Sequence, residues 1–330
     1  MEQAYNHGMD EIFVAKGGID KAALKALSAR SDAKGLLQLG SHLAALGLSA
    51  SAVLLAEGLW LVPALLLHGL LMTFLFAPLH ETIHRTAFRS RWLNDAVAWI
   101  CGAVLVLPPE YFRAFHFAHH RHTQDPLRDP ELAVPKPTSL GAYLWLLTGL
   151  PYWRERISTT LLHASGVAAA NFIPARLAPK IVREARLLWS LYLGLFVVSV
   201  VTGSALVFWL WVLPMLLGQP ALRAYLMAEH TGCPLVPDML RNSRTTRSNA
   251  LMRRLAWNMP FHVEHHAYPA LPFHALPAAH QHIAPMIAVQ APGYLSFHAE
   301  MIRRISGGRQ AGPRPSSSSE PVNLLSPELV

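Results

Sequence analysis

Two long stretches without lysine or arginine constrain the fold of this 330-residue chain more than any other feature. The first runs from Gly35 to His84, and the second, from Leu187 to Leu222, carries no charged side chain at all. Each stretch has room for two helices that cross a bilayer, the second pair being short. Charged residues make up 15% of the chain, against about 25% in ordinary soluble domains. The chain is therefore predicted to be an integral membrane protein.

Four membrane-spanning helices in two hairpins account for these stretches. Loops retained in the cytoplasm collect lysine and arginine, so both termini and the middle loop are expected on that side. The net charge of +8 is then a sign of topology, and nucleic-acid binding is not expected. The expected spans are Leu37–Ala56, Leu59–Leu79, Leu187–Val201 and Ala205–Leu217.

The chain divides into three parts by composition. Residues 1–34 are polar and form a cytoplasmic N-terminal segment, in which Asp20 to Arg30 is predicted to be a short amphipathic helix. Residues 35–305 form the membrane domain. Within it, the apolar segment Asp95–Leu107 is short for a span and is interpreted as interfacial or re-entrant. Residues 306–330 are rich in serine, proline and glycine, which predicts a disordered tail.

Three histidine clusters carry the chemistry. The second and third clusters repeat the spacing i, i+3, i+4, which places three imidazoles on one face of a helix. Buried imidazoles need partners, and iron, copper, zinc or nickel would satisfy them. Eight histidines are too many for one ion, so two ions are expected to share them. The clusters are His80 and His84; His116, His119 and His120; and His262, His265 and His266.

Three other classes of protein compete with this interpretation. Residues His80 to His84 read H-E-x-x-H, the zinc-protease pattern, in which Glu81 would be the general base. A zinc protease uses three protein ligands, however, and this chain offers eight histidines. A haem-binding electron carrier would need axial histidines that face each other within the bilayer, whereas these clusters are predicted at one surface. A purely structural membrane protein would bind no metal.

The three clusters resemble the histidine boxes of the membrane fatty acid desaturase/hydroxylase superfamily, in order and in spacing over roughly residues 35–300. The residues that flank the first and third boxes are most similar to bacterial fatty acid desaturases and hydrocarbon oxygenases. The resemblance implies an all-α membrane protein whose cytoplasmic helical cap holds a non-haem di-iron centre, with O2 as co-substrate. It also implies a ninth histidine ligand just before the third box, and His230 stands at that place. The asparagine found in the family one turn before this histidine is replaced by Leu226.

The resemblance also implies the type of reaction. Desaturation of a fatty-acyl chain is the commonest activity of the superfamily and is the one expected here. Hydroxylation of an alkyl, acyl or carotenoid chain, and oxidative decarboxylation to a terminal alkene, are the alternatives. A separate electron donor is expected, a ferredoxin, rubredoxin or cytochrome with its reductase. The expected location is the bacterial inner membrane, with the active site on the cytoplasmic side.

Cysteine labelling tests the predicted orientation after the native Cys101 and Cys233 have been replaced by alanine. Gly58→Cys and Gly203→Cys should react with a membrane-impermeant maleimide in intact cells, because both turns are predicted to face outward. Ser317→Cys should react only after the cells are opened. Labelling at position 317 in intact cells would contradict the four-span topology.

Overall fold

A computed structural model describes residues 18–307 and is mostly helical, which confirms the all-α prediction. Half of the N-terminal segment and most of the predicted C-terminal tail lie outside these residues. Within them, the strands are two residues each, β1 (Thr245–Thr246) and β2 (Gln290–Ala291), paired in parallel. The α-helices are α1 Lys21–Leu27, α2 Asp32–Leu55, α3 Leu61–Thr73, α4 Phe76–Ile83, α5 Arg91–Leu105, α6 Pro109–His122, α7 Leu140–Leu147, α8 Leu150–Ser165, α9 Ala178–Thr202, α10 Leu213–His230, α11 Met239–Asn242, α12 Ala250–Leu255, α13 His262–Ala267, α14 Leu276–Ile283 and α15 Tyr294–Ser306.

The short helix predicted near the N-terminus is present as α1. It begins after Asp20, whose carboxylate accepts hydrogen bonds from the backbone N–H groups of Ala22 and Ala23. Such a cap satisfies donors that the first turn of a helix leaves free. The chain then turns at Ser31, whose hydroxyl caps α2 in the same way.

Three helical segments are long and apolar enough to cross a membrane: Asp32–Leu55, Gly58–Ile83 and Ala175–Thr202. The first two coincide with the first predicted hairpin, and the third contains the first span of the second. Helices α5 and α6 would add a fourth span if this bent pair is counted as one. Residues 206–217 are also helical, but there a π-helical turn, Phe208–Val212, runs on into α10. The predicted arrangement of two hairpins under a cytoplasmic cap therefore stays a prediction.

The segment interpreted as interfacial or re-entrant is helix α5, and the chain bends by 96° between α5 and α6. Val106 takes the left-handed conformation at the bend, with φ of 54°. The bend leaves the last carbonyls of α5 without helical partners. Tyr192 donates a hydrogen bond to the carbonyl of Ala103, and the indole of Trp211 donates one to that of Val104 at 2.8 Å. Protein donors thus satisfy the backbone that the bend exposes.

Helices α3 and α10 touch through their backbones at a pair of glycines. A Cβ atom added to Gly218 would lie 2.0 Å from the carbonyl oxygen of Gly69, and one added to Gly69 would lie 2.3 Å from that of Pro214. Small residues at such crossings let helices in a membrane approach closely. Since α3 leads into α4, and α10 ends at His230, this crossing sets the distance between two elements that carry histidines.

Replacing Gly218 with alanine should lower the thermal stability of the protein in detergent, because the added methyl group overlaps the backbone of α3. Overpacking of this kind costs about 1–3 kcal/mol. Gly194→Ala is the matched control, since a Cβ at that position in α9 meets no atom within 4 Å. The control should melt at or slightly above the wild-type temperature. Equal melting temperatures for both variants would contradict the close crossing.

Candidate metal centre

Four helices bring the nine predicted histidines together. Helix α4 carries the first box at its C-terminal end, α6 the second, and α13 the third, while α10 ends on His230. Arg113 ties two of these helices together, because its Nε donates a 2.9 Å hydrogen bond to the carbonyl of Ile83 at the end of α4. All nine histidines are buried except His84, which is part-buried. The clusters that are up to 186 positions apart in the sequence thus converge in one place.

The histidines form two groups. Both histidines of the first box belong to the first group, whereas the second and third boxes contribute histidines to both groups. Within each group the ring nitrogens lie within 4.8 Å of one another. The ninth, His262, stands beside the second group, with its Nε2 2.8 Å from Nε2 of His230. The first group is His80, His84, His116, His120 and His265, and the second group is His119, His230 and His266.

In the second group, the partners of the Nδ1 atoms determine where the protons are. Nδ1 of His119 lies 2.9 Å from the carboxylate of Asp129, and Nδ1 of His230 lies 3.2 Å from the carbonyl of Asn242. Both partners accept hydrogen bonds, so both Nδ1 atoms donate, and in the neutral rings both Nε2 atoms carry a lone pair. Those two Nε2 atoms face each other at 3.1 Å. Two lone pairs at that distance repel each other unless a cation lies next to both.

The same argument shows which ring nitrogen of His266 carries the lone pair. The hydroxyl of Thr123 donates to the carbonyl of His119 at 2.7 Å, so its oxygen accepts from Nδ1 of His266 at 3.3 Å. This leaves the lone pair of His266 on Nε2, a buried atom with no hydrogen-bond partner among the described residues. All three members of the second group therefore direct an electron pair toward one another, as metal ligands do.

The first group shows similar spacing. Nε2 of His120 lies 2.9 Å from Nε2 of His116 and 3.1 Å from Nε2 of His265. One nitrogen carries a single proton or a single lone pair, so it cannot satisfy both neighbours. Two nitrogens that each lie roughly 2.1 Å from the same metal ion, with an angle of about 90° at the ion, are about 3 Å apart from each other. The donor type, the burial and the spacing in both groups therefore fit metal ions.

Burial keeps the imidazoles of the third box neutral. Removal from water lowers the pKa of His262, His265 and His266 well below the ordinary value, and the neighbouring histidines lower it further. A neutral imidazole is the form that binds a metal.

Several residues that support the histidines carry no signal in the sequence. Glu264 lies within the third box but points away from its histidines; it is fully buried and accepts hydrogen bonds from Thr245 and from Nδ1 of His280. His280 had no spacing that indicated a role. Asp129 orients His119, as described above, and also accepts from the backbone N–H of Gln124. Only the tertiary contacts identify these residues, because each lies far from its partner or on the opposite face of the helix.

A small apolar cavity of about 70 Å³ lies against both groups of histidines. His80 and His116 of the first group line it, together with His119 of the second group and His262. Its apolar walls are Phe74, Phe76, Ala77, Phe112, Leu222, Leu226 and Met259, and its polar walls are Tyr225, Glu131 and Glu229. A hydrocarbon segment would meet the histidines here without water between them.

The arrangement differs from that of a zinc protease. Glu81 is fully buried and accepts a 2.9 Å hydrogen bond from the backbone N–H of Phe273, so one of its carboxylate oxygens is engaged away from the histidines. His80 and His84 share their group with three further histidines, where such a protease has three protein ligands in all.

A comparison with known families agrees with this geometry. The family model described as fatty acid desaturase matches residues 57–298, well over half of the chain. The chain therefore belongs to the fatty acid desaturase family, as the resemblance of its histidine boxes predicted. It is an oxidoreductase and an integral membrane protein by family and by its apolar helices.

Individual relatives are distant. The chain is 25% identical over 284 residues to the dihydrorhizobitoxine desaturase of Bradyrhizobium elkanii. This alignment covers 77% of this chain and 75% of that protein. It is 30% identical over 109 residues to the sn-1 oleoyl-lipid 12-desaturase of Picosynechococcus sp., 30% of this chain and 31% of that protein. It is 24% identical over 241 residues to the fatty acid conjugase FAC2 B of Calendula officinalis, 63% of each. The chain thus spans between about a third and three quarters of the length of these relatives.

Proposed function

We propose that this protein is a membrane di-iron desaturase that removes hydrogen from the C–H bonds of a fatty-acyl chain. The observation that carries the proposal is the pair of buried histidine groups beside an apolar cavity, in a chain that matches the fatty acid desaturase family. Histidine-rich ligation suits a redox metal, and iron is a frequent choice for O2 chemistry.

The two groups would hold one iron ion each. The first ion takes ligands from His80, His84, His116, His120 and His265, and the second from His119, His230, His262 and His266. When bound, the iron pair supplies the activation of O2 that the attack on an unactivated C–H bond requires. The chain itself contributes the ligand geometry, since Asp129, Thr123 and the carbonyl of Asn242 hold the rings of the second group in one tautomer.

The cavity residues position the substrate and exclude water. Phe76, Phe112 and Leu226 offer a hydrocarbon chain an apolar surface, and the carboxylates of Glu131 and Glu229 stand close to the second group. Oε1 of Glu229 lies 3.5 Å from Nδ1 of His262, and Oε1 of Glu131 lies 3.8 Å from Nε2 of His119. In this position the two carboxylates can accept hydrogen bonds at the edge of the site.

Desaturation is favoured over the other oxidations because two of the relatives reported above are named as desaturases. Hydroxylation of an alkyl, acyl or carotenoid chain is the second candidate, since the same site would serve it. A separate ferredoxin, rubredoxin or cytochrome, with its reductase, supplies the electrons. The site faces the cytoplasm of a bacterial cell, in line with the lysine and arginine distribution.

Metal analysis tests the site. Protein purified in mild detergent should contain close to two iron ions per chain, and His120→Ala should lower this content because the first group loses its central ligand. His122→Ala is the matched control: it lies on the same helix, outside both groups, and should keep both ions. One zinc per chain, with peptidase activity that Glu81→Gln removes, would overturn the proposal in favour of the protease.

Lipid analysis tests the reaction. Expression in a host that lacks the gene should yield lipids with two hydrogens fewer than their precursors, detected by mass spectrometry. His265→Ala should abolish the product, because the first group loses a buried ligand, whereas His282→Ala, an exposed control, should retain it. A gain of one oxygen would identify a hydroxylase, and an alkene one carbon shorter would identify a decarboxylase. A product that survives His265→Ala would mean that His265 is not an essential ligand.

A further inference from the structure

A cluster of buried and part-buried cationic and polar side chains lies between α8 and α10, outside the two groups of histidines. Two guanidinium groups lie by the ring of Tyr152: Cζ of Arg223 is 4.3 Å from the ring centre, and Cζ of Arg156 is 5.9 Å from it. The helices are close here because Gly149, just before α8, comes against Gln219, so that a Cβ at Gly149 would lie 2.6 Å from that of Gln219.

Polar atoms in this cluster lack partners. Arg156 is 6% exposed and Gln219 is fully buried. Among the described residues no hydrogen-bond partner is present for Nε of Arg156, Nε of Arg223, Nε1 of Trp153 or either amide atom of Gln219. Buried polar groups in proteins are nearly always hydrogen-bonded, and an unmet one costs about 1–3 kcal/mol. Four of these five atoms are donors, so the missing partner is an acceptor.

The charges of the cluster also indicate that a negatively charged partner is missing. Arg156 pairs with Glu155, a half-exposed carboxylate. Within residues 18–307, Arg223 has no carboxylate within ion-pair distance, and its guanidinium meets the ring of Tyr152 instead. A buried charge is stable only when it is paired and hydrogen-bonded. The cluster therefore lacks one negative charge.

Arg223 lies on the same stretch of α10 as two wall residues of the apolar cavity, although it does not itself line the cavity. Arg223 follows Leu222 and precedes Leu226 by about one turn of α10, and both leucines line the cavity. The acidic residues of the cavity, Glu131 and Glu229, lie at its histidine end. An amphiphile with one anionic end would therefore place that end at the arginines and its hydrocarbon chain toward the histidines.

We propose that Arg223, Arg156, Gln219 and Trp153 form the site that binds the anionic end of the substrate, a carboxylate or a phosphate ester. The proposal rests on the function proposed above and names the substrate class as an amphiphile with a single anionic headgroup. Seven residues of helix separate Arg223 from His230, about 10 Å along the axis at 1.5 Å per residue. The headgroup is thus held away from the histidines, so an interior carbon meets them. This placement favours desaturation within the chain over decarboxylation, which needs the carboxylate near the reacting carbon.

Ligand binding to the iron-loaded protein in detergent tests the site. Hexadecanoate, hexadecyl phosphate and methyl hexadecanoate have comparable chains and differ in the charge of the end group. Compared at equal mole fraction in the micelle, at least one of the two anions should bind the wild-type protein about tenfold to a hundredfold more tightly than the neutral ester, the range expected for hydrogen bonds to a charged group. A preference for hexadecanoate alone identifies a free fatty acid, and a preference for hexadecyl phosphate alone identifies a phosphate ester. Equal binding of all three probes would overturn the proposal without depending on the folding of any variant.

Variants of Arg223 test whether this cluster is the site that prefers an anionic end group. Arg223→Gln should weaken binding of the preferred anion to the level of the neutral ester and leave the ester unchanged, while Arg223→Lys should restore part of the difference. Arg154→Gln, an exposed position on the same helix as Arg156, should bind all three probes as the wild type does. If Arg223→Gln keeps the full preference, the anion binds elsewhere and the proposal fails.

Failure of this proposal and failure of the proposed function give different results. If the protein holds two irons and forms the desaturated product but does not prefer an anion, the function stands and the headgroup site is wrong. If the anion preference depends on Arg223 but the iron-loaded protein forms no desaturated product, the binding site stands and the reaction is wrong.

Discussion

The lone pairs of buried imidazoles, directed at one another, are the constraint on which the rest of this structure depends. Asp129 and the carbonyl of Asn242 each accept a hydrogen bond from Nδ1–H of a histidine, so in the neutral rings Nε2 of His119 and Nε2 of His230 meet as two acceptors at 3.1 Å. Two lone pairs at this distance repel each other. A bound cation relieves this repulsion, which links metal binding directly to the stability of the folded site.

The membrane helices give this site its position. The pair of glycines, Gly69 and Gly218, brings the backbone of α3 against that of α10, and the 96° bend at Val106 sets the direction of α6. The carbonyls of Ala103 and Val104 at the bend accept hydrogen bonds from Tyr192 and Trp211. The scaffold thus combines close packing with protein donors for the backbone at the bend, in an apolar setting where unmet backbone groups are most costly.

The cavity between the helices is lined by apolar side chains together with carboxylates and histidines, and the part-buried Arg223 lies on the same stretch of α10 as its wall residues Leu222 and Leu226. The substrate proposed above, apolar along its length and charged at one end, would suit this arrangement. The family alone does not decide this, because its members in the comparison are named for different substrates.

The sequence by itself determined the features that depend on local periodicity: the long helices without lysine or arginine, and the spacing of the boxes. It did not show that neighbouring positions of one box belong to different groups. Adjacent residues on a helix point about 100° apart, so His265 joins the first group while His266 joins the second. Only the crossing of four helices decides that division. The same holds for Asp129 and Glu264, because their partners come from elements that the sequence cannot place.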